Sequence, residues 1–348
     1  MSATLKLGLM GYGFAGATFH APVIAHSGRT TLAVIATSQA ERARSDYPQA
    51  QIVADFGALL ARDDISCVVI ATPNDTHFAM AQQALAAGKH VVVDKPVALS
   101  AQHARQLAQL AAAQGLLFAP FHNRRWDGDF MSLRSLIAEN HLGRITHYES
   151  HFDRFRPEIP PRWREQAAHG GGLLFDLGPH LIDQALALFG PPQSVCATLR
   201  QQRAGAEVPD YAHLQLSYAH GEVVLHASAL AALAPPRFRV HGERGSYVSE
   251  VLDVQEDQLK AGLRPGQPGF GKNAPGCLRS IQSGQLVQTE LATRDGDYAG
   301  FYRALADSLL DHQPFPISAQ DAVDVMTIIE LALRSDATGQ RLPFVRQD

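Results

Sequence analysis

Short apolar runs, three of them rich in Val and Ile, punctuate the first third of the chain: Leu5–Met10, Leu32–Ala36, Cys67–Ala71, His90–Val93 and Leu116–Phe121. They scarcely alternate with polar residues, as expected of strands buried on both faces. Alanine-rich segments with helical spacing lie between them, notably Phe78–Ala87 and Ala101–Gln114. Strands alternating with helices predict an α/β fold with a doubly wound parallel sheet.

Past residue 122 the pattern changes. Strand-like segments near 145–156, 194–203, 211–218, 222–228 and 237–242 are joined in several places by short turns, which predicts a large, mostly antiparallel open sheet. Helices are expected near 128–140, 173–189, 297–312 and 319–335, and the glycine-rich stretch Gly262–Gly276 reads as a loop. The expected division is therefore residues 1–122 and 123–348.

Composition narrows this picture. The 348 residues suit about two domains of roughly 100–200 residues each. An apolar content of 46% gives each a core and excludes a disordered, collagen-like or coiled-coil chain. The net charge of −4 offers no basic footprint for nucleic acid or an anionic membrane surface. Cys67, Cys196 and Cys277 are far apart with no C-x-x-C, so neither a disulfide framework nor a thiolate metal site is expected. Glycines interrupt the first apolar run, which makes a poor signal peptide, and there is no run of about 18 apolar residues. A cytoplasmic location is the expectation.

The first candidate chemistry is Gly11-Tyr12-Gly13-Phe14-Ala15-Gly16, a G-x-G-x-x-G that follows one predicted strand and opens a helix. Glycines there permit a tight turn and close approach to a pyrophosphate, while the helix start supplies N–H groups. Other predicted strands end in polar residues: Thr37-Ser38, Thr72-Pro73-Asn74, Asp94-Lys95-Pro96 and His122-Asn123. The structural alternative is helix capping, by Asn74 or Asp75 and by a Ser38-x-x-Glu41 capping box. An acid after the second strand would hold an NAD ribose. Here Thr37 and Ser38 stand with Arg42 nearby, which favours the 2′-phosphate of NADP.

Lys95, at a strand end before Pro96, can stabilise a developing alkoxide or share a proton. Gly170-Gly171-Gly172 leads to Asp176 and His180, four apart and so on one helical face, with Gly178 and Pro179 bending the helix between them. Asp183 and Gln184 extend this polar stripe. A carboxylate and an imidazole among apolar neighbours need partners or a function. Either His180 or Lys95 can serve as the base. His147, Glu149, His151 and Asp153 alternate onto one face of a strand. No metal-binding helix motif accompanies them, so no metal is expected, and this face is assigned to a substrate pocket or a subunit contact.

Together, Gly11–Gly16, Thr72-Pro73-Asn74 with His77, Asp94-Lys95-Pro96, and Gly170–Gly172 leading to Asp176 and His180 resemble the Gfo/Idh/MocA family of nicotinamide-dependent oxidoreductases. That family usually has Glu-Lys-Pro where this chain has Asp94. Phe19-His20-Ala21-Pro22, His122–Asp127 and His151–Pro157 look like a subgroup that includes an NADP-dependent scyllo-inositol 2-dehydrogenase. The resemblance implies a Rossmann domain that binds the dinucleotide, followed by an α/β domain for substrate binding and oligomerisation. It implies Lys95, Asp176 and His180 as the catalytic set, and the strand-end residues with His77 around the cofactor. Arg125, Trp163 and Arg164 are implied at the substrate, a polyol or sugar, in a homodimer or homotetramer. An aldose or other sugar dehydrogenase and a non-catalytic dinucleotide-sensing regulator are the alternatives. Lys95–Pro96 is expected to be cis.

Overall fold

A computed structural model of the chain describes residues 4–346. Its first sheet contains β1 (Leu5–Met10), β2 (Thr30–Ala36), β3 (Gln51–Val53), β4 (Cys67–Ile70), β5 (His90–Val93) and β6 (Phe118–Pro120). They are parallel, in the order β3-β2-β1-β4-β5-β6. This is the strand order of a dinucleotide-binding Rossmann sheet, which reverses direction between β1 and β4. Leu7, Leu9, Val68, Val69, Val91 and Val92 are wholly buried, which explains the continuous apolar runs.

The second sheet contains β7 (Ile145–Asp153), β8 (Ser194–Arg200), β9 (Tyr211–Tyr218), β10 (Gly221–Ser228), β11 (Phe238–Gly242), β12 (Gly245–Ser249), β13 (Gly276–Gln282), β14 (Gln285–Leu291) and β15 (Leu342–Pro343). Its order is β14-β13-β12-β11-β7-β10-β9-β8-β15. Among the described residues β7–β10 is its one parallel pairing; the other neighbours are antiparallel. On β7, Tyr148, Ser150 and Phe152 are buried, while His147, Glu149, His151 and Asp153 alternate onto the opposite face. The helix Gly178–Phe189 packs against β7 and β10.

The chain divides into two units. The first runs to Trp126 and takes in Val254–Gly271 and Asp297–Val323; the second comprises Asp127–Asp253, Lys272–Gly296 and the chain from Asp324. The first unit's core joins Leu7, Leu9 and Val69 to Phe121, Phe301 and Tyr302. Among the described residues no helix is long and apolar enough to cross a membrane. Cys67, Cys196 and Cys277 are free thiols.

Candidate active site

In the first unit, strand register brings the polar loops to one edge. Met10 pairs with Ala36 and Ile70, Ile70 with Val93, and Val93 with Pro120. The residues that follow therefore leave the sheet side by side, on the carboxyl edge where α/β folds bind ligands.

The three motif glycines differ in role. Gly11 has φ +97°, and a Cβ there would lie 2.5 Å from the Ala71 carbonyl oxygen. A Cβ on Gly16 would lie 2.0 Å from the Gly11 carbonyl oxygen. Around Gly13 a Cβ would meet nothing within 4 Å, so its backbone is open to an approaching group. Tyr12 is buried and donates to Asp46 Oδ2 at 2.8 Å, whereas Phe14 is exposed. The helix after the motif begins with Phe14-Ala15 and passes through a π-helical turn, Gly16–His20.

After β2, Thr37 Oγ1 accepts from the Gln39 N–H at 2.9 Å. The Ser38-x-x-Glu41 capping box does not form. The helix Ala40–Asp46 has Gln39, not Ser38, at its N-cap and no side-chain capping bond. Ser38 is exposed, and Arg42 lies with its guanidinium 5.5 Å from the Tyr12 ring centroid. After β4, neither Asn74 nor Asp75 caps a helix; Pro73 and Thr76 hold those positions with no side-chain bond.

His77 joins two of these loops. Its Nδ1 is 2.7 Å from the Pro96 carbonyl oxygen and its Nε2 is 2.9 Å from that of Thr72. Burial pushes its pKa down. The placement makes His77 a clamp between Thr72-Pro73-Asn74 and the Lys95–Pro96 turn, whose peptide is cis. Lys95 is half-buried, and its N–H donates to Asp94 Oδ1 at 2.7 Å. Burial raises the Asp94 pKa, but hydrogen bonding and charge from His20, with the charges of Lys95 and His77, outweigh this and hold it well below the carboxylate range. His20 Nε2 lies 3.7 Å from Asp94 Oδ2, and its Nδ1 lies 2.6 Å from the Tyr302 hydroxyl.

His122 and Asn123 are buried just beyond β6. Arg125 is buried too: its Nη1 donates to the Pro316 carbonyl at 2.9 Å, and its Nη2 is 3.1 Å from Asp321 Oδ2. The structure thus ties this guanidinium into the first unit.

The second unit assembles another group. Gly170 and Gly172 have φ of +65° and +94°, and a Cβ on Gly171 would lie 2.5 Å from the carbonyl oxygens of Arg164 and Gln166. The glycine run packs directly beneath the Trp163–Glu165 turn, with the Gly172 N–H donating to the Arg164 carbonyl at 2.9 Å. Arg164 Nε is then 3.6 Å from Asp176 Oδ1, and its guanidinium lies 4.4 Å from the Trp163 ring centroid. Asp176 ends the short helix Leu173–Asp176, and His180 sits in the first turn of the next helix, Gly178–Phe189; the break at Leu177 puts the two on separate helices rather than on one helical face, with Pro179 accepted in the first turn of the second. His180 is buried, its ring 6.5 Å from that of Phe152. Behind the turn stands Arg203, whose Nη2 donates to Glu165 Oε2 at 2.7 Å and whose Nε donates to Asp210 Oδ2 at 2.8 Å. The sequence carries no periodic or motif signal for Arg203, Glu165 and Asp210. His20 stood only within a family motif.

Two family models match: the NAD-binding Rossmann fold of an oxidoreductase family over residues 5–122, and its C-terminal alpha/beta domain over 134–344. The chain belongs to the Gfo/Idh/MocA oxidoreductase family. Within that family it is 46% identical over 336 residues to an uncharacterized oxidoreductase, YdgJ, of Escherichia coli, covering 96% of this chain and 97% of the relative. It is 35% identical over 335 residues to the scyllo-inositol 2-dehydrogenase (NADP(+)) IolW of Bacillus subtilis, covering 95% and 94%. A crystal structure of an oxidoreductase from Bacillus cereus aligns with a TM-score of 0.91 at 30% identity, covering 99% of this chain and all of that one.

Proposed function

We propose that this Gfo/Idh/MocA protein is a cytosolic dehydrogenase that uses NADP in preference to NAD. Its proposed substrate is a secondary alcohol of a cyclic polyol or sugar, with a scyllo-inositol-like polyol favoured over an aldose. The observation that carries this reading is the near full-length similarity to the Bacillus subtilis scyllo-inositol 2-dehydrogenase (NADP(+)). Thr37 and Arg42, standing where an acid would select NAD, support the cofactor preference.

The cradle fits a dinucleotide. Gly13 leaves open space for a pyrophosphate, and Gly11 and Gly16 allow the tight turn beside it. Thr37 and Arg42 would hold the 2′-phosphate, and Thr72 and Asn74 the neighbouring edge. When bound, the nicotinamide supplies hydride acceptance and donation. In this proposal Lys95 Nζ steadies negative charge on the substrate oxygen. His180 removes or returns that oxygen's proton, imidazole being suited to exchange near neutral pH. Asp176, drawn toward Arg164, orients the substrate hydroxyls.

The test is a panel of inositols and aldoses read by NADPH and NADH absorbance. The reading predicts the highest kcat/KM with an inositol and NADP. Turnover confined to aldoses, or none with any polyol, would overturn it.

A further inference from the structure

We propose that the outward face of the second sheet binds a zinc-class divalent metal ion between His151, Asp153 and His226, a site separate from the proposed chemistry. β7 supplies His151 and Asp153, two residues apart and so on one face. β10 supplies His226, which pairs directly with His151. One donor atom from each of the three lies within 4.8 Å of the others. Asp153 Oδ1 is 2.8 Å from His226 Nδ1, and Asp153 Oδ2 is 3.3 Å from His151 Nδ1. Zinc bonds of about 2.0–2.2 Å put tetrahedral donors about 3.3 Å apart, so closing the set takes side-chain shifts of about 1.5 Å or less.

Three further features favour an ion. The Asp153 side chain is only 1% exposed, a carboxylate withdrawn from water with two imidazoles as its ion-pair partners. A carboxylate so withdrawn from water calls for positive charge beside it, which a divalent ion supplies. His151 Nε2 is closed to solvent and makes no hydrogen bond, the nearest acid oxygen being Glu149 Oε2 at 3.5 Å. Next along the row, His213 pairs with His226, and their ring centroids are 5.7 Å apart. Imidazoles with one carboxylate select a borderline ion over calcium or magnesium, which prefer all-oxygen shells.

The location suggests a structural role. The ion would tie β7 to β10, the parallel pair, and parallel pairing is slightly weaker per residue than antiparallel. Phe152, between the two β7 ligands, points to the opposite face, toward His180. Strand alternation alone puts His151 and Asp153 together; His226, 73 residues from Asp153, joins them only through the pairing of β7 with β10.

The test is calorimetric titration of zinc into the native, tag-free, metal-stripped protein, with anomalous diffraction at the zinc edge on crystals of the same sample. We expect one saturable equivalent per chain and an anomalous peak bounded by the three residues. His226→Gln should weaken binding at least about tenfold, since even outer-sphere changes at metal sites cost that much. Zinc should also raise the Tm of the wild type more than that of His226→Gln. Absence of a saturable equivalent, a peak elsewhere, or unchanged affinity in His226→Gln would overturn the site. Asp153→Asn is a second variant with the same expected loss. If it does not fold, the peak position and His226→Gln still decide.

Discussion

Arg203 Nη2 lies 2.7 Å from Glu165 Oε2, and through that bond a buried guanidinium holds the turn that presents Trp163 and Arg164. The same side chain reaches the Arg156 and Glu158 carbonyls at 3.4 and 3.2 Å, so it anchors both sides of this loop. Removing one member of a buried ion pair costs about 3–5 kcal/mol, because the partner is left charged without compensation. Arg203→Met should approach that loss in urea denaturation. A double-mutant cycle with Glu165→Gln should give a coupling energy of at least about 0.5 kcal/mol; additive losses would mean the two do not act as a unit.

The motif glycines separate into a folding role and a binding role. Gly16→Ala drives a Cβ onto the Gly11 carbonyl and should cost about 1–3 kcal/mol, as overpacking does. Gly13→Ala meets only open space and should unfold within about 0.5 kcal/mol of wild type. Its nucleotide affinity should nevertheless fall. Unfolding curves with parallel NADPH titrations check both, and normal affinity in Gly13→Ala would remove that glycine from the cofactor site.

Arg42 tests the cofactor preference. A charge-assisted hydrogen bond contributes about 1.5–3 kcal/mol, or roughly 10–100-fold in affinity. Arg42→Ala should weaken NADPH by that factor and leave NADH almost unchanged. Equal losses for both would place Arg42 outside 2′-phosphate recognition.

Lys95→Ala and His180→Ala should each lower kcat by about 10²–10⁴, the usual worth of an acid–base group. NADPH binding, measured by fluorescence, should persist in His180→Ala. Near-normal turnover in either variant would remove that residue from the assigned chemistry.

Asp94 gives a pH signature. Its folded pKa is depressed below the unfolded value of about 3.9, so its stabilisation is in place above about pH 5 and is lost as pH falls toward the folded value. Asp94→Asn should be less stable at pH 7 and show a flatter loss between about pH 5 and 3. Urea midpoints across that range check it; parallel profiles would show that Asp94 contributes no linkage.

The legible parts of the fold were those with strong periodicity. β1 and β5 fall on the expected residues, as do the cores of β2, β4, β7, β9 and β10. β3 escaped notice because it has three residues and begins with an exposed Gln51. β14 is polar and largely exposed along its length, so it carries no alternation to read, and its partner β13 begins at the end of the glycine-rich loop. At the site, sequence could name Lys95, Asp176 and His180 because motifs flank them. It could not foresee that His77 would be held between two carbonyls or Arg125 between Asp321 and Pro316, since those partners come from loops and from 191–196 residues further on. Long-range closure of this kind leaves no local pattern.

The alternation of β7 also limits how its gene can vary. Phe152 faces the helix that carries His180, while His151 and Asp153 face away. A single-codon insertion or deletion within this strand would turn every later side chain over, sending Asp153 into the apolar layer and Phe152 onto the polar face among the histidines. Length changes in β7 should therefore be tolerated, if at all, in steps of two residues, and single-residue variation should collect in the turns at either end.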